Sequence, residues 1–188
     1  MTAARILMTG SREWSNGPAS VDALNAAVNL LGSSSRQATL VHGAAQGADQ
    51  LLAAAAEHLG LATEAHPAEW RIHTASCPTW CQGRDTCKLA GHRRNAEMIA
   101  AGADLVLAFP THSYALAPGE NRERTSRGTW DCADKAKAAG LPTLVVWGPK
   151  LFPFGDAGLE LLTRVAQGKS ITLGPAGEMG VVDAWLPF

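Results

Sequence analysis

Apolar runs alternate along the chain with Ala- and Leu-rich stretches of helical period. Ile6-Leu7-Met8 is a continuous apolar run that ends at Thr9-Gly10-Ser11, the pattern of a strand buried on both faces and running into a tight turn. Val21, Leu24, Val28 and Leu31 recur at helical spacing over residues 20–31, and Gly32-Ser33-Ser34-Ser35 stops that helix. Thr39-Leu40-Val41 predicts a second strand, residues 48–59 a helix stopped by Gly60, and Leu61 to Ala65 a third strand closed by His66-Pro67. Between residues 71 and 90 the period disappears and Cys, Pro, Gly and charge accumulate, so this stretch reads as an insertion. The period resumes with a helix near 91–101, a strand over Asp104 to Phe109, a polar loop at 111–127, a helix over 128–139 and a strand over Pro142 to Trp147. Such alternation gives right-handed βαβ units, hence an α/β fold: a Rossmann-like open parallel sheet with helices on both faces. Residues 1–150 are expected to form one Rossmannoid domain, with 151–188 a C-terminal appendage. Its amphipathic stretch, 156–167, offers Leu159, Leu161, Leu162 and Val165 either to the same domain or to a second copy in a homodimer.

Composition narrows the classes. The 188 residues are 46% hydrophobic and 18% charged, enough for one self-sufficient core. Seventeen acidic against 16 basic side chains give a net charge of −1, which argues against nucleic acid or an acidic membrane as the default partner. No segment approaches the roughly 20 apolar residues of a bilayer span, and the N-terminal run is too short for a signal peptide. The expected location is therefore cytoplasmic, with reduced cysteines. Cys77, Cys81 and Cys87 fall in the insertion, flanked by His73 and His92, which supplies ligands for a closed tetrahedral Cys3His zinc site. His73 and His92 are alternatives for the fourth position. Four protein ligands leave no open coordination position, so the zinc is expected to be structural, ordering a segment without apolar period. Reduced thiols in a surface loop are the plainer alternative.

In open α/β sheets, ligands bind beyond the strand carboxyl ends, where loops lead into helix amino ends. Four loops fit: Gly10-Ser11-Arg12-Glu13-Trp14, Gly43 to Asp49, Ala90 to Asn95, and Ser126 to Asp131. Glycine allows close backbone approach, Ser11 and Thr129 offer hydroxyls, and Arg12 and Arg94 offer guanidinium forks suited to phosphate. None is a dinucleotide fingerprint or a P-loop, and Gly168-Lys169-Ser170 lacks the upstream glycine. Asp49 and Asp131, at helix starts, suit either a ligand or the helix dipole alone. Trp14, Trp70 and Trp130 adjoin these loops and suit either base stacking or packing. Cys132 and His42 are candidate nucleophile and base, and the 111–127 loop, with Tyr114, Arg122, Arg124 and Arg127, reads as a lid or a plain surface loop.

The ordered series T-G-S-R-E-W, V-H-G-A-A-Q-G-A-D, A-E-W, A-G-H-R-R-N-A-E-M-I, A-D-L-V-L-A-F-P and R-G-T-W-D-C-A resembles the YspA-related branch of the SLOG superfamily, over roughly residues 5–147. That superfamily also holds the LOG phosphoribohydrolases and the DNA-processing protein DprA. The resemblance implies a Rossmannoid fold and a pocket for a nucleotide or a nucleotide-derived small molecule. It carries ligand contacts onto Gly10, Ser11, Arg12, Gly43, Gly47, Asp49, Arg94, Asn95, Gly128 and Thr129, and a further role onto Asp131. In the LOG motif PGGxGTxxE the terminal glutamate is catalytic; here Cys132 occupies its place and Thr125-Ser126 replace the leading glycines. The expected role is therefore nucleotide binding, as a sensor or sequestering protein. The enzymatic alternative is an N-glycosidic-bond hydrolase acting on nucleotides, with Asp131 or Glu13 stabilising an oxocarbenium-like ribose. A third alternative, nucleic-acid binding through Arg84, Lys88, Arg93 and Arg94, runs against the near-neutral charge.

Overall fold

The computed structural model describes residues 3–110, 126–147 and 150–168. Strand β1 (Ala4–Gly10) leads into α1 (Gly17–Leu30), which begins before the expected residue 20. Asn16 caps it, Oδ1 accepting from the Ala19 amide at 3.1 Å, and Pro18 sits in the first turn, where its missing N–H costs nothing. There follow β2 (Ala38–His42), α2 (Ala48–Leu59) and β3 (Ala62–Ala65); Gly60, at φ 76°, closes α2 in the left-handed region. A four-residue helix, α3 (Thr79–Gln82), lies inside the insertion. The chain continues through α4 (Ala90–Ala100), β4 (Leu105–Phe109), α5 (Arg127–Ala138) and β5 (Thr143–Trp147) to β6 (Lys150–Pro153) and α6 (Asp156–Gly168).

The sheet order is β3-β2-β1-β4-β5-β6. The first five strands pair in parallel, as the alternation predicts, but β6 is antiparallel to β5, with Trp147 opposite Lys150. The sheet is therefore mixed, not wholly parallel. Two residues separate β5 from β6, and a parallel return needs a crossover of about a dozen.

Side chains alternate between two cores. Ile6, Met8, Leu105, Leu107 and Phe109 pack under α1, α2 and α6, whereas Leu7, Val41 and Val106 meet Met98 of α4 and Cys132 and Ala136 of α5. Burial on both faces is why these strands read as unbroken apolar runs. Leu161 is buried in the first core and Leu162 and Val165 pack on it, while Leu159 stays exposed. No helix among the described residues is long and apolar enough to cross a membrane. The sequence readings on residues 111–125 and 169–188 lie outside the described residues. Strand order reverses between β1 and β4, so a crevice opens beyond Gly10 and Phe109, which are register partners.

Candidate functional site

A cavity of about 410 Å³ occupies that crevice, within the range of small-molecule sites. The β1–α1 loop forms its floor. The Ser11 amide donates to the Phe109 carbonyl at 2.8 Å, and the Ser11 carbonyl accepts from the Ala48 amide at 3.0 Å, pinning the start of α2 beside the loop. Gly10, Ser11, Arg12, Glu13, Gly43, Asp49, Arg94, Asn95, Gly128 and Thr129, all singled out from sequence, line the cavity. Gly47 does not, and its role is to fit under the first loop: at φ 79° a Cβ there would lie 2.4 Å from the Arg12 carbonyl oxygen. The bare Cα of Gly43 makes room for Arg94, whose guanidinium nitrogen would sit 1.3 Å from an added Cβ.

Arg94 is held in place from two sides. Its Nε donates to Asn95 Oδ1 at 3.1 Å and its guanidinium to the His66 carbonyl at 3.2 Å. Asn95, buried, spends its amide on the Gly128 carbonyl at 3.1 Å and on Asp131 at 3.0 Å, tying α4 to the first turn of α5. The candidate catalytic carboxylate Asp131 also meets His92 Nδ1 at 2.8 Å and the Lys135 ammonium. Burial works against its ionisation, but Lys135, Asn95 and His92 overcome this and hold it below the usual aspartate range. Asp131 is a brace behind the cavity and not among its lining residues. Glu13 lines the cavity and is exposed. Asp49 differs again: burial raises its pKa, against the pull of the Ala45 amide and Arg94.

Three cations, Arg12, Lys88 and Arg94, thus line the cavity against two carboxylates, Glu13 and Asp49, so the cavity suits an anion. At the amino end of α5, Thr129 is 2% exposed and its hydroxyl has no hydrogen-bond partner among the described residues. Leaving such a group unmade costs about 1–3 kcal/mol.

Of the tryptophans Trp14, Trp70 and Trp130 beside these loops, only Trp70 lines the cavity, with the Arg12 guanidinium 5.8 Å from its ring centre. Trp14 packs edge-on against Phe109 at 5.3 Å and donates to Ser20 Oγ, and Trp130 packs on Phe154 at 5.7 Å. His42 is buried with its Nδ1 accepting from the Ala44 amide, and burial lowers its pKa. Burial pushes the Cys132 thiol up to about 11, the opposite of an activated nucleophile. Met8, Thr9, Trp70, Lys88 and Met98 also line the cavity from outside the four loops, and Lys88, the charged one among them, comes from the insertion.

Within the insertion, His73, Cys77, Cys81 and Cys87 bring their ligand atoms within 4.8 Å of one another, close enough to hold a metal ion. The Cys77–Cys87 and Cys81–Cys87 Sγ distances are 3.6 and 3.8 Å, against an edge of about 3.8 Å for a tetrahedron with zinc–sulfur bonds of about 2.3 Å. His73 Nδ1 lies 3.8 Å from Cys81 Sγ, and its Nε2 is 3.0 Å from the Arg84 carbonyl, the outer contact that orients a ligating imidazole. His92, the other candidate, is absent from the cluster because it pairs with Asp131. The thiols accept from the Lys88 amide at 3.3 Å and from Arg93 at 3.1 Å. Burial opposes ionisation of Cys87, yet Arg93, the Leu89 amide and the neighbouring thiols draw its pKa down to about 6.

Residues 4–73 match the model of the YspA, cpYpsA-related SLOG family. The chain is 34% identical over 145 residues to the Gene 61 protein of Mycobacterium phage D29, an overlap covering 74% of this chain and 94% of that protein. In structure it is similar to DNA processing protein A from Streptococcus pneumoniae (TM-score 0.48, 16% identity, 88% of this chain), of which it spans 56% of the length. It is similar too to DNA processing protein A from Helicobacter pylori, a protein described in its single-stranded DNA binding mode (TM-score 0.46, 17% identity, 92% of this chain and 77% of that one). The chain belongs to the YspA/cpYpsA-related SLOG family.

Proposed function

We propose that the crevice binds a nucleotide-derived anionic small molecule, its phosphate received by Ser11, Arg12 and the α5 amino end at Gly128-Thr129. The observation that carries this reading is the Thr129 hydroxyl: buried, unpartnered among the described residues and lining a cavity rich in cations. A phosphate oxygen is the acceptor such a hydroxyl lacks, and a helix amino end adds backbone donors and a positive dipole. Binding without turnover is favoured over glycosidic hydrolysis because Asp131 is already engaged by three donors and Cys132 stands where the LOG glutamate would be.

Thr129→Val tests this reading. The methyl group removes an unsatisfied polar atom, so thermal stability should hold or rise while affinity for nucleoside monophosphates, measured by calorimetric titration, falls at least tenfold. Unchanged affinity for every nucleotide that binds the parent protein overturns the assignment. If single-stranded DNA were the partner instead, affinity would fall steeply with salt.

In the insertion, the proposed ion is a structural zinc held by His73, Cys77, Cys81 and Cys87. Cys87 at tetrahedral edge distances from both Cys77 and Cys81, and an oriented imidazole, support it. Four protein ligands complete the shell and leave no position for substrate.

A further inference from the structure

We propose that the metal cluster sets the shape of the ligand cavity: Trp70 and Lys88 are ligand-facing residues positioned by the cysteine ligands, so metal occupancy and ligand affinity are thermodynamically linked. The ligand half of this statement rests on the reading of the crevice given above.

The connections are direct. The Cys87 amide donates to the Trp70 carbonyl at 2.6 Å, and the Lys88 amide donates to Cys81 Sγ at 3.3 Å. Both residues so held line the cavity. Apolar packing contributes little to this wall, because Trp70 is 41% and Ile72 49% exposed. Apolar burial therefore does not order the segment, and the Arg12–Trp70 contact is itself a contact across the cavity.

Two adjacent arginines on α4 divide the work. Arg93 reaches Cys87 Sγ at 3.1 Å, Cys77 Sγ at 3.7 Å and the Ile72 carbonyl at 2.7 Å, while Arg94 reaches Asn95 and the His66 carbonyl on the cavity side. Arg93 thus joins the thiols to the helix that carries Arg94. A metal whose binding orders the insertion shifts the wall toward one conformation, and a ligand that prefers that conformation must in turn tighten the metal by the same factor.

The experiment uses the full chain, stripped with a chelator and then reloaded with zinc, in two arms. Hydrogen exchange, with zinc as the only probe, should show protection rising in residues 70–90 and also in 91–98, which contain no metal ligand. Adenosine monophosphate, titrated into loaded and stripped protein, should bind at least tenfold more tightly to the loaded form, and saturating nucleotide should raise zinc affinity by that same factor. Lys88→Ala should weaken nucleotide binding and leave zinc affinity intact. Protection confined to 70–90, or equal nucleotide affinity in the two forms, overturns the proposal. Failure of the nucleotide to bind even the loaded form overturns the nucleotide reading instead, and the exchange arm then decides alone whether the metal holds the wall.

Discussion

The sheet and the cysteine-rich insertion lie side by side in one chain and are ordered by different physics. In the sheet, Leu7, Leu40, Val41, Leu105, Leu107 and Leu144 are all fully buried, each contributing about 1.5–3 kcal/mol of transfer free energy. In the insertion, the buried cluster is Cys77, Cys81, Cys87 and Ala90, while Trp70, Ile72 and Trp80 are exposed. Order in the sheet is spread over many side chains, whereas under the proposed metal site order in the insertion hangs on four ligand atoms. The first should erode gradually under mutation and the second should go all at once.

The largest expected effect sharpens this contrast. Leu107→Ala removes a fully buried side chain from the larger core and should lower global stability by about 2–5 kcal/mol, read by urea denaturation. Chelation of the proposed metal, or Cys81→Ala, should abolish amide protection in residues 71–90 and leave the cooperative unfolding of the sheet in place. A chelator effect on global stability as large as that of Leu107→Ala would show that the two regions form one cooperative unit.

A smaller effect is expected where glycine lets α2 and its preceding loop approach the cavity floor. Gly47→Ala combines a positive φ with a Cβ 2.4 Å from backbone, which cannot yield cheaply, and should cost about 1–3 kcal/mol. At Gly43 the nearest atoms to an added Cβ belong to the end of the Arg94 side chain, which can swing away. The stability cost of Gly43→Ala should be the lesser of the two, with nucleotide affinity falling because Arg94 has moved. Denaturation and calorimetric titration of both variants separate the cases; metal affinity should be unchanged in each.

The same contrast explains what could be read from sequence. The buried strands and their helices follow from apolar period alone, as Ile6 to Met8 and Leu105 to Phe109 show, because burial on both faces leaves an unbroken run. Strand β6 escapes because Lys150-Leu151-Phe152-Pro153 is too short to display a period. The loops at Gly10 and Gly128 were visible as strand-to-helix turns, but not the division of labour inside the cavity. Asn95 and Asp131 find each other, and His92 finds Asp131 and not the cysteines, only through the packing of α4 on α5, which spacing along the chain does not encode. The tryptophans divide for a similar reason: Trp14 and Trp130 meet Phe109 and Phe154 across element boundaries, leaving Trp70 to the cavity.

The smallest effect lies between the two regimes, on edge strand β3, whose Ala62, Thr63 and Ala65 are exposed. There Glu64 is gripped by charge. Arg5 donates to its two oxygens at 2.7 and 3.0 Å, and His66 Nε2 approaches at 2.6 Å. These contacts, Arg5 foremost, draw the Glu64 pKa from 4.5 down to about 2. A carboxyl whose folded pKa lies below its unfolded value stabilises fully above the unfolded pKa, and that contribution is lost as pH falls through the folded one. The pair is partly exposed to solvent, so roughly 0.2–1 kcal/mol is at stake, less at high salt. Glu64→Gln should therefore lower the urea midpoint slightly at pH 7, and the gap to the parent protein should close between about pH 4.5 and about 2. A gap that persists unchanged at pH 2 would assign the cost of the substitution to packing at the sheet edge, not to the carboxylate, and β3 would then belong with the core it borders.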